Sequence, residues 1–211
     1  MPASYETHRK QLELILQAWG MPAPTAATTA EIMSWADLHG IDTHGISMVP
    51  PYDERRRNNK LDMRAEPKVV KETPVSVLID GGGGLGHPNA RRGMELAIEK
   101  AKKTGIGVAA VRNSGHFGAC GFYALMAVES DLVGMVTTSA SGIQVSPTHG
   151  AQARLGTDPI AFAFSMASSI ARRALGWPRP PPPSISADTG VSRATRGVAR
   201  MSIFPARRRS S

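Results

Sequence analysis

Cysteine is almost missing from this chain. Cys120 stands alone among 211 residues, which excludes an intramolecular disulfide and any cysteine-built zinc site. Long apolar runs are missing too: nothing approaches the ~18 consecutive apolar residues of a membrane span. Residues Met1 to Lys10 are polar and lack the apolar stretch of a secretion signal. These absences predict a cytoplasmic protein with no membrane partner. Acidic residues are scarce only at the C-terminal end. Residues 166–211 hold nine arginines, no lysine and one acid, Asp188, whereas residues 1–165 hold sixteen cations against sixteen acids. The net charge of +8 therefore resides wholly in the tail, and the rest has no basic footprint of the kind that binds nucleic acid.

The tail departs from the rest in other ways. It contains the run Pro180 to Pro183, is rich in Ser, Arg, Gly and Ala, and shows no helical or strand periodicity after Trp177. Such composition cannot bury enough surface to fold, so a disordered basic tail is expected over residues 166–211. Two readings of it stand: a segment that binds RNA or acidic membrane, and sequence foreign to the protein. The second is preferred.

What is present before the tail reads as an α/β chain. Apolar content is 41%, as in soluble globular proteins. Leu12, Ile15, Leu16 and Trp19 share one face of a helix from Ser4 to Trp19, closed by Gly20. A second helix is expected from Thr25 to His39, with Ile32, Trp35 and Ala36 inward. Val69-Val70 and Val75 to Ile79, split by Thr73-Pro74, predict a β-hairpin or meander. A helix from His87 to Thr104, a buried strand from Ile106 to Val111, a helix from Cys120 to Val128, and strands at Leu132 to Thr137 and Ile160 to Phe164 follow. Residues 142–154 read as an irregular loop and Leu155 to Pro159 as a turn. The expected organisation is an N-terminal helical segment at 1–70, an incomplete α/β unit at 71–165 and the tail at 166–211.

Three stretches carry candidate chemistry. In Val111-Arg112-Asn113-Ser114-Gly115-His116-Phe117-Gly118, one histidine falls where a strand ends and a helix begins, the edge at which open α/β sheets bind ligands. His116 can exchange a proton near neutral pH, which suits redox chemistry at a carbonyl; the alternative is a ring satisfied by the turn backbone. Gly115 and Gly118 would let backbone approach a bound molecule. In Asp37-Leu38-His39-Gly40-Ile41-Asp42-Thr43-His44-Gly45-Ile46, the spacing matches no helical pair of metal ligands. Thr43 reads instead as a helix cap with His44 in the first turn; the alternative is a solvated surface cap. Gly81 to Gly86 formally matches the dinucleotide glycine pattern, but the second strand ends in Val111-Arg112-Asn113, without the acid that holds a ribose. A flexible turn is the preferred reading there.

Taken in order, Asp37 to Ile46, then Tyr52, Asp80 with its glycines, Gly105-Ile106-Gly107, Val111 to Gly118 and Leu155-Gly156-Thr157-Asp158-Pro159-Ile160-Ala161 resemble the type 2 malate/L-lactate dehydrogenase family. That family includes ureidoglycolate, sulfolactate and diketogulonate oxidoreductases and cyclic-imine reductases. The resemblance covers about residues 5–165. It implies a mixed sheet with flanking helices in a family-specific NAD(P)-binding fold, not a standard Rossmann domain. It also implies NAD or NADP as cofactor, a 2-keto or 2-hydroxy acid as substrate, and a homodimer when the C-terminal half is intact.

Carried over by position, the resemblance makes His44 the proton donor to a substrate carbonyl, with Thr43 beside it in place of the family's serine. His116 becomes a substrate-side or proton-relay residue. Ser139 and Ala140 fall where the family meets the cofactor, as do Thr157, Asp158 and Pro159, with Asp158 replacing an asparagine. Met48 stands where many members carry an arginine for the substrate carboxylate, so that group needs another partner, Arg112 or a residue further on. Family chains run well beyond this one. The loss of lysine and rise of arginine near residues 165–177 is what a changed reading frame in GC-rich DNA produces; a catalytically inactive truncated fragment is therefore the alternative function. If no family-like C-terminal half lies downstream in another frame, the frameshift idea fails.

Overall fold

The computed structural model describes residues 4–139 and 142–164. The arginine-rich tail and Ala140 lie outside the described residues. The N-terminal third is helical. α1 (Tyr5–Ala18) starts at Ser4, whose hydroxyl accepts the Thr7 amide hydrogen at 3.2 Å, and it packs against α2 (Ala23–Leu38), which begins with proline in its first turn. Helices of such length gain most of their stability from the apolar face they bury. Here that face joins Leu12 and Leu16 of α1 to Ala26, Ala30 and Met33 of α2, and then to Tyr52, Leu61, Met63 and Leu85.

Between α2 and α3 (Val49–Arg57) the chain makes two short 3₁₀ turns, Asp42–His44 and Ile46–Met48. Thr43 is thus not the cap of a helix. Gly45 interrupts the winding with an extended backbone (φ −101°, ψ −136°), and α3 starts only where Pro50 and Pro51 can occupy a first turn. Arg55, Arg56 and Arg57 fill its last turn, where cations complement the helix dipole.

The sheet comes next. β1 (Lys68–Glu72) pairs antiparallel with β2 (Ser76–Gly84), as the hairpin reading expects. α4 (Gly86–Thr104) then crosses to β3 (Val108–Ser114), which lies parallel to β2, giving a mixed three-stranded sheet in the order β1-β2-β3. Val77 and Ile79 of β2 meet Leu96 of α4, with Ala109 of β3 alongside. α5 (Cys120–Glu129) leads to a second, two-stranded antiparallel sheet of β4 (Gly134–Thr137) and β5 (Ile160–Ala163). The fold class is the expected α/β one with an N-terminal helical segment.

Three local readings need correction. Gly81 to Gly84 do not form a turn: they prolong β2, and Gly84 pairs with Ser114 across a register shift that follows the Asp80–Arg112 pair. Glycine at this bulge adopts positive φ at positions 82 and 83. β3 is mostly exposed instead of buried, because it is the outer strand of its sheet; Val108 and Val111 show 51% and 38% of their surface. Leu155 to Pro159 is not a turn but irregular chain, bridged once from Leu155 to Val145 before entering β5.

Candidate active site

His44 is placed by the α1–α2 hairpin. The Asp37 carboxylate, near the end of α2, accepts the Ile46 amide hydrogen at 2.9 Å, and its same oxygen lies 2.8 Å from His8 Nε2 on α1. The segment comes so close that a Cβ on Gly45 would fall 1.7 Å from Asp37 Oδ1. Any larger residue would have to displace the Asp37 carboxylate from its Ile46 and His8 contacts, and the 3₁₀ turn bearing His44 is drawn onto the helices. The Thr43 hydroxyl pairs with His44 Nδ1 at 2.8 Å, and the Ser47 hydroxyl donates to the Asp42 carbonyl.

His116 is placed by the sheet. It lies in the β3–α5 connection, which two backbone hydrogen bonds fasten to the start of α4: Gly115 N–H to the Gly84 carbonyl at 2.8 Å, and Gly86 N–H to the His116 carbonyl at 2.9 Å. Tyr52, reaching from α3, brings its hydroxyl to 2.6 Å from His116 Nδ1. The rings of His44 and His116 then face each other with centroids 5.2 Å apart, tilted by 37°. With both Nδ1 atoms engaged, the Nε2 atoms are left for another partner.

A third imidazole closes the back of the cluster. His87, in the first turn of α4, is fully buried, and neither ring nitrogen has a hydrogen-bond partner among the described residues. It meets His116 edge-on at 6.2 Å and Tyr52 at 6.0 Å. Gly118 passes against it: a Cβ there would lie 2.9 Å from His87 Nε2, on a backbone with φ +82°. Gly118 therefore makes room for the protein's own ring, whereas the sequence suggested room for a ligand. Gly118→Ala is expected to cost about 2–4 kcal/mol from left-handed strain and overpacking, read as a lower urea midpoint; an unchanged midpoint would refute this packing.

Burial sets the charges. It pushes His116 down to about 4, with the His44 and Arg55 charges adding to the effect. Burial, then the neighbouring His116 and His44, pushes His87 down to about 3. His44 is lowered by burial alone. Burial raises Tyr52, so its phenol keeps its proton. At neutral pH the cluster is a set of neutral rings able to give or take protons at an oxygen, and it carries no negative charge of its own.

The structure thus brings together Thr43, His44 and His116, which are far apart in sequence. It places Ser139, Thr157, Asp158 and Pro159 elsewhere: all four are exposed at the shared end of β4 and β5, where Thr138 N–H donates to the Pro159 carbonyl at 3.4 Å. Among the described residues, no hydrogen bond or ring contact joins them to the imidazoles. Arg112, one of the two alternatives for a carboxylate partner, is paired with a carboxylate of the protein itself. Its guanidinium is 2.9 Å from Asp80 Oδ2, where Asn113 also donates at 3.0 Å. The Gly82 amide and these two side chains hold the Asp80 carboxyl below the usual carboxylate range. Sequence reasoning missed His87, and it gave Tyr52 no role. A histidine directly after Gly84-Leu85-Gly86, where a helix starts against the sheet, was the available signal.

Fold and site together define an α/β protein with two facing imidazoles, His44 and His116, at the edge of a mixed sheet. The profile of the malate/L-lactate dehydrogenase family matches residues 3–172, and the chain belongs to that family. It is 38% identical to the L-sulfolactate dehydrogenase of Methanocaldococcus jannaschii over 159 residues, 75% of this chain and 46% of that one. It is 40% identical to the malate dehydrogenase of Pyrococcus abyssi over 149 residues, 71% of this chain and 41% of that one. The crystal structure of malate dehydrogenase from Entamoeba histolytica superposes with a TM-score of 0.72 at 36% identity, over 78% of this chain and 45% of that one. The chain thus spans somewhat less than half the length of these relatives.

Proposed function

We propose that the chain carries the acid–base half of an NAD- or NADP-dependent oxidoreductase that interconverts a 2-hydroxy acid and a 2-keto acid. The observation that carries this reading is the pairing of His44 and His116 at 5.2 Å, each with Nδ1 held and Nε2 open. The names of the relatives support the substrate class, since malate and sulfolactate are both 2-hydroxy acids.

His44 is the proton-transfer residue. It is the less buried of the pair, and its pKa is the less depressed, so it can change charge during turnover. In reduction the protonated ring gives its Nε2 proton to the nascent alkoxide oxygen and becomes neutral; in oxidation the neutral ring takes the hydroxyl proton and becomes charged. His116, held by Tyr52, orients the same oxygen from the other side, and Thr43 fixes the His44 ring.

The cofactor is assigned to Ser139, Ala140, Thr157, Asp158 and Pro159. The exposure of Ser139, Thr157, Asp158 and Pro159 at one end of β4–β5 fits such a ligand: the two hydroxyls can serve ribose or phosphate oxygens, and a carboxylate at 158 accepts from ribose hydroxyls. When bound, the nicotinamide supplies or accepts the hydride. A cytoplasmic location and a homodimer of the complete protein belong to the same reading. The test is NADH and NADPH oxidation against a panel of 2-keto acids and a cyclic imine.

The length of the relatives favours a second reading, a catalytically inactive fragment of such an enzyme. Dinucleotide titration followed by the fluorescence of Trp19 and Trp35 separates the two. A saturable change supports the working enzyme, and no change supports the fragment.

A further inference from the structure

A 2-keto or 2-hydroxy acid brings a carboxylate to the imidazole cluster, and neutral rings and a phenol do not balance that charge. Taking an anion out of water without a cation partner is costly. Of the cations expected near the site, Arg112 is committed to Asp80, and position 48 is a methionine packed against the core.

The end of α3 offers three arginines in succession, and two are already engaged. Asp53 takes Arg56 at 2.6 Å and Arg57 at 2.7 Å, and Arg56 also lies over the Trp19 ring at 5.3 Å. Arg55 enters no ion pair or side-chain hydrogen bond among the described residues. It follows Tyr52 by three positions, so it stands one turn along the same helix face. Tyr52 is the residue whose hydroxyl touches His116. Burial dominates at both groups, raising the phenol and lowering the imidazole, and the Arg55 charge adds a lesser lowering at each. The side chain is exposed, which leaves its planar fork open to an anion.

We propose that Arg55 is the carboxylate-recognition residue of this site: its guanidinium receives the carboxylate of an acid whose carbonyl or hydroxyl oxygen faces His44 and His116. A guanidinium suits this task because its parallel N–H groups match both carboxylate oxygens. The identity of the acid rests on the oxidoreductase reading; the binding itself needs no hydride step.

The probe is oxamate, a planar analogue of a 2-keto acid, with affinity measured by calorimetry on the full chain. Arg55→Gln is expected to weaken oxamate about 10- to 100-fold, the scale of a lost charge-assisted hydrogen bond. Arg55→Lys, which keeps the charge but not the fork, is expected to fall between Gln and the parent. Arg57→Gln on the same helix end is expected to bind like the parent. Equal affinity in Arg55→Gln and the parent overturns the proposal, as does equal weakening by Arg57→Gln or no binding to the parent. Turnover of 2-keto acids with a KM indifferent to Arg55 would remove Arg55 and leave the oxidoreductase reading. Oxamate binding that depends on Arg55, without turnover, would do the reverse.

Discussion

His44→Ala is expected to lower turnover about 10²–10⁴-fold, the usual contribution of a positioned acid or base, while leaving dinucleotide affinity unchanged. The geometry is specific. His44 is held by Thr43 at Nδ1 and by the Asp37-anchored turn, and it faces His116 across 5.2 Å. Its substitution removes the proton donor and leaves Asp37, Tyr52 and His116 in place. The ring is only partly buried and lies outside the hydrophobic core, so the fold should lose little. In the oxidative direction the neutral ring is the active form. Because burial lowers its pKa from the ordinary 6.5, kcat/KM should fall only below pH 6.5, and the alanine variant should lose that acid limb. Steady-state kinetics across pH 5–8 reads both effects, and a variant with parental turnover removes His44 from the mechanism.

Acid should destabilise the fold well above the pH at which carboxylates protonate. The folded-state pKa values of His116 and His87 lie at about 4 and about 3, against 6.5 in the open chain. Between those limits the unfolded state binds protons that the folded state refuses. Stability is therefore full above pH 6.5 and declines as pH falls, by up to about 1.4 kcal/mol per pH unit for each ring. Asp53, Glu72 and Asp80 are depressed carboxylates, so their stabilising effect is lost at lower pH still. Urea midpoints at pH 7.0, 6.0 and 5.0 isolate the imidazoles. His87→Phe, which sacrifices no hydrogen bond because neither ring nitrogen has one, should flatten the slope. A flat profile in the parent would show that water reaches these rings.

The elements of this fold were legible where one period or one breaker dominates. α1 could be read from Leu12, Ile15, Leu16 and Trp19, and the β1–β2 hairpin from Pro74 between two valine-rich runs. His116 could be placed at the sheet edge because an apolar run precedes it and a helix follows. Other features depend on contacts between distant residues. Nothing local joins Tyr52 to His116 across 64 positions, yet their 2.6 Å contact orients the ring. Gly118 reads alike whether it clears a ligand or His87. The Gly81–Gly84 run reads as a turn because glycine is unfavourable in strands, but pairing with β1 and β3 overrides that preference. The family resemblance supplied the order of the motifs, and the structure supplied the commitment of Arg112 to Asp80.

The central claim is that His44 and His116 work on one molecule. Proton–nitrogen correlation spectra of the histidine rings, recorded while oxamate is added, test it most directly. The account predicts that the Nε2 signals of His44 and His116 shift together along one binding curve, with His8 and His149 unmoved. Movement of only one of the pair, or of neither in a chain that binds oxamate, would contradict it.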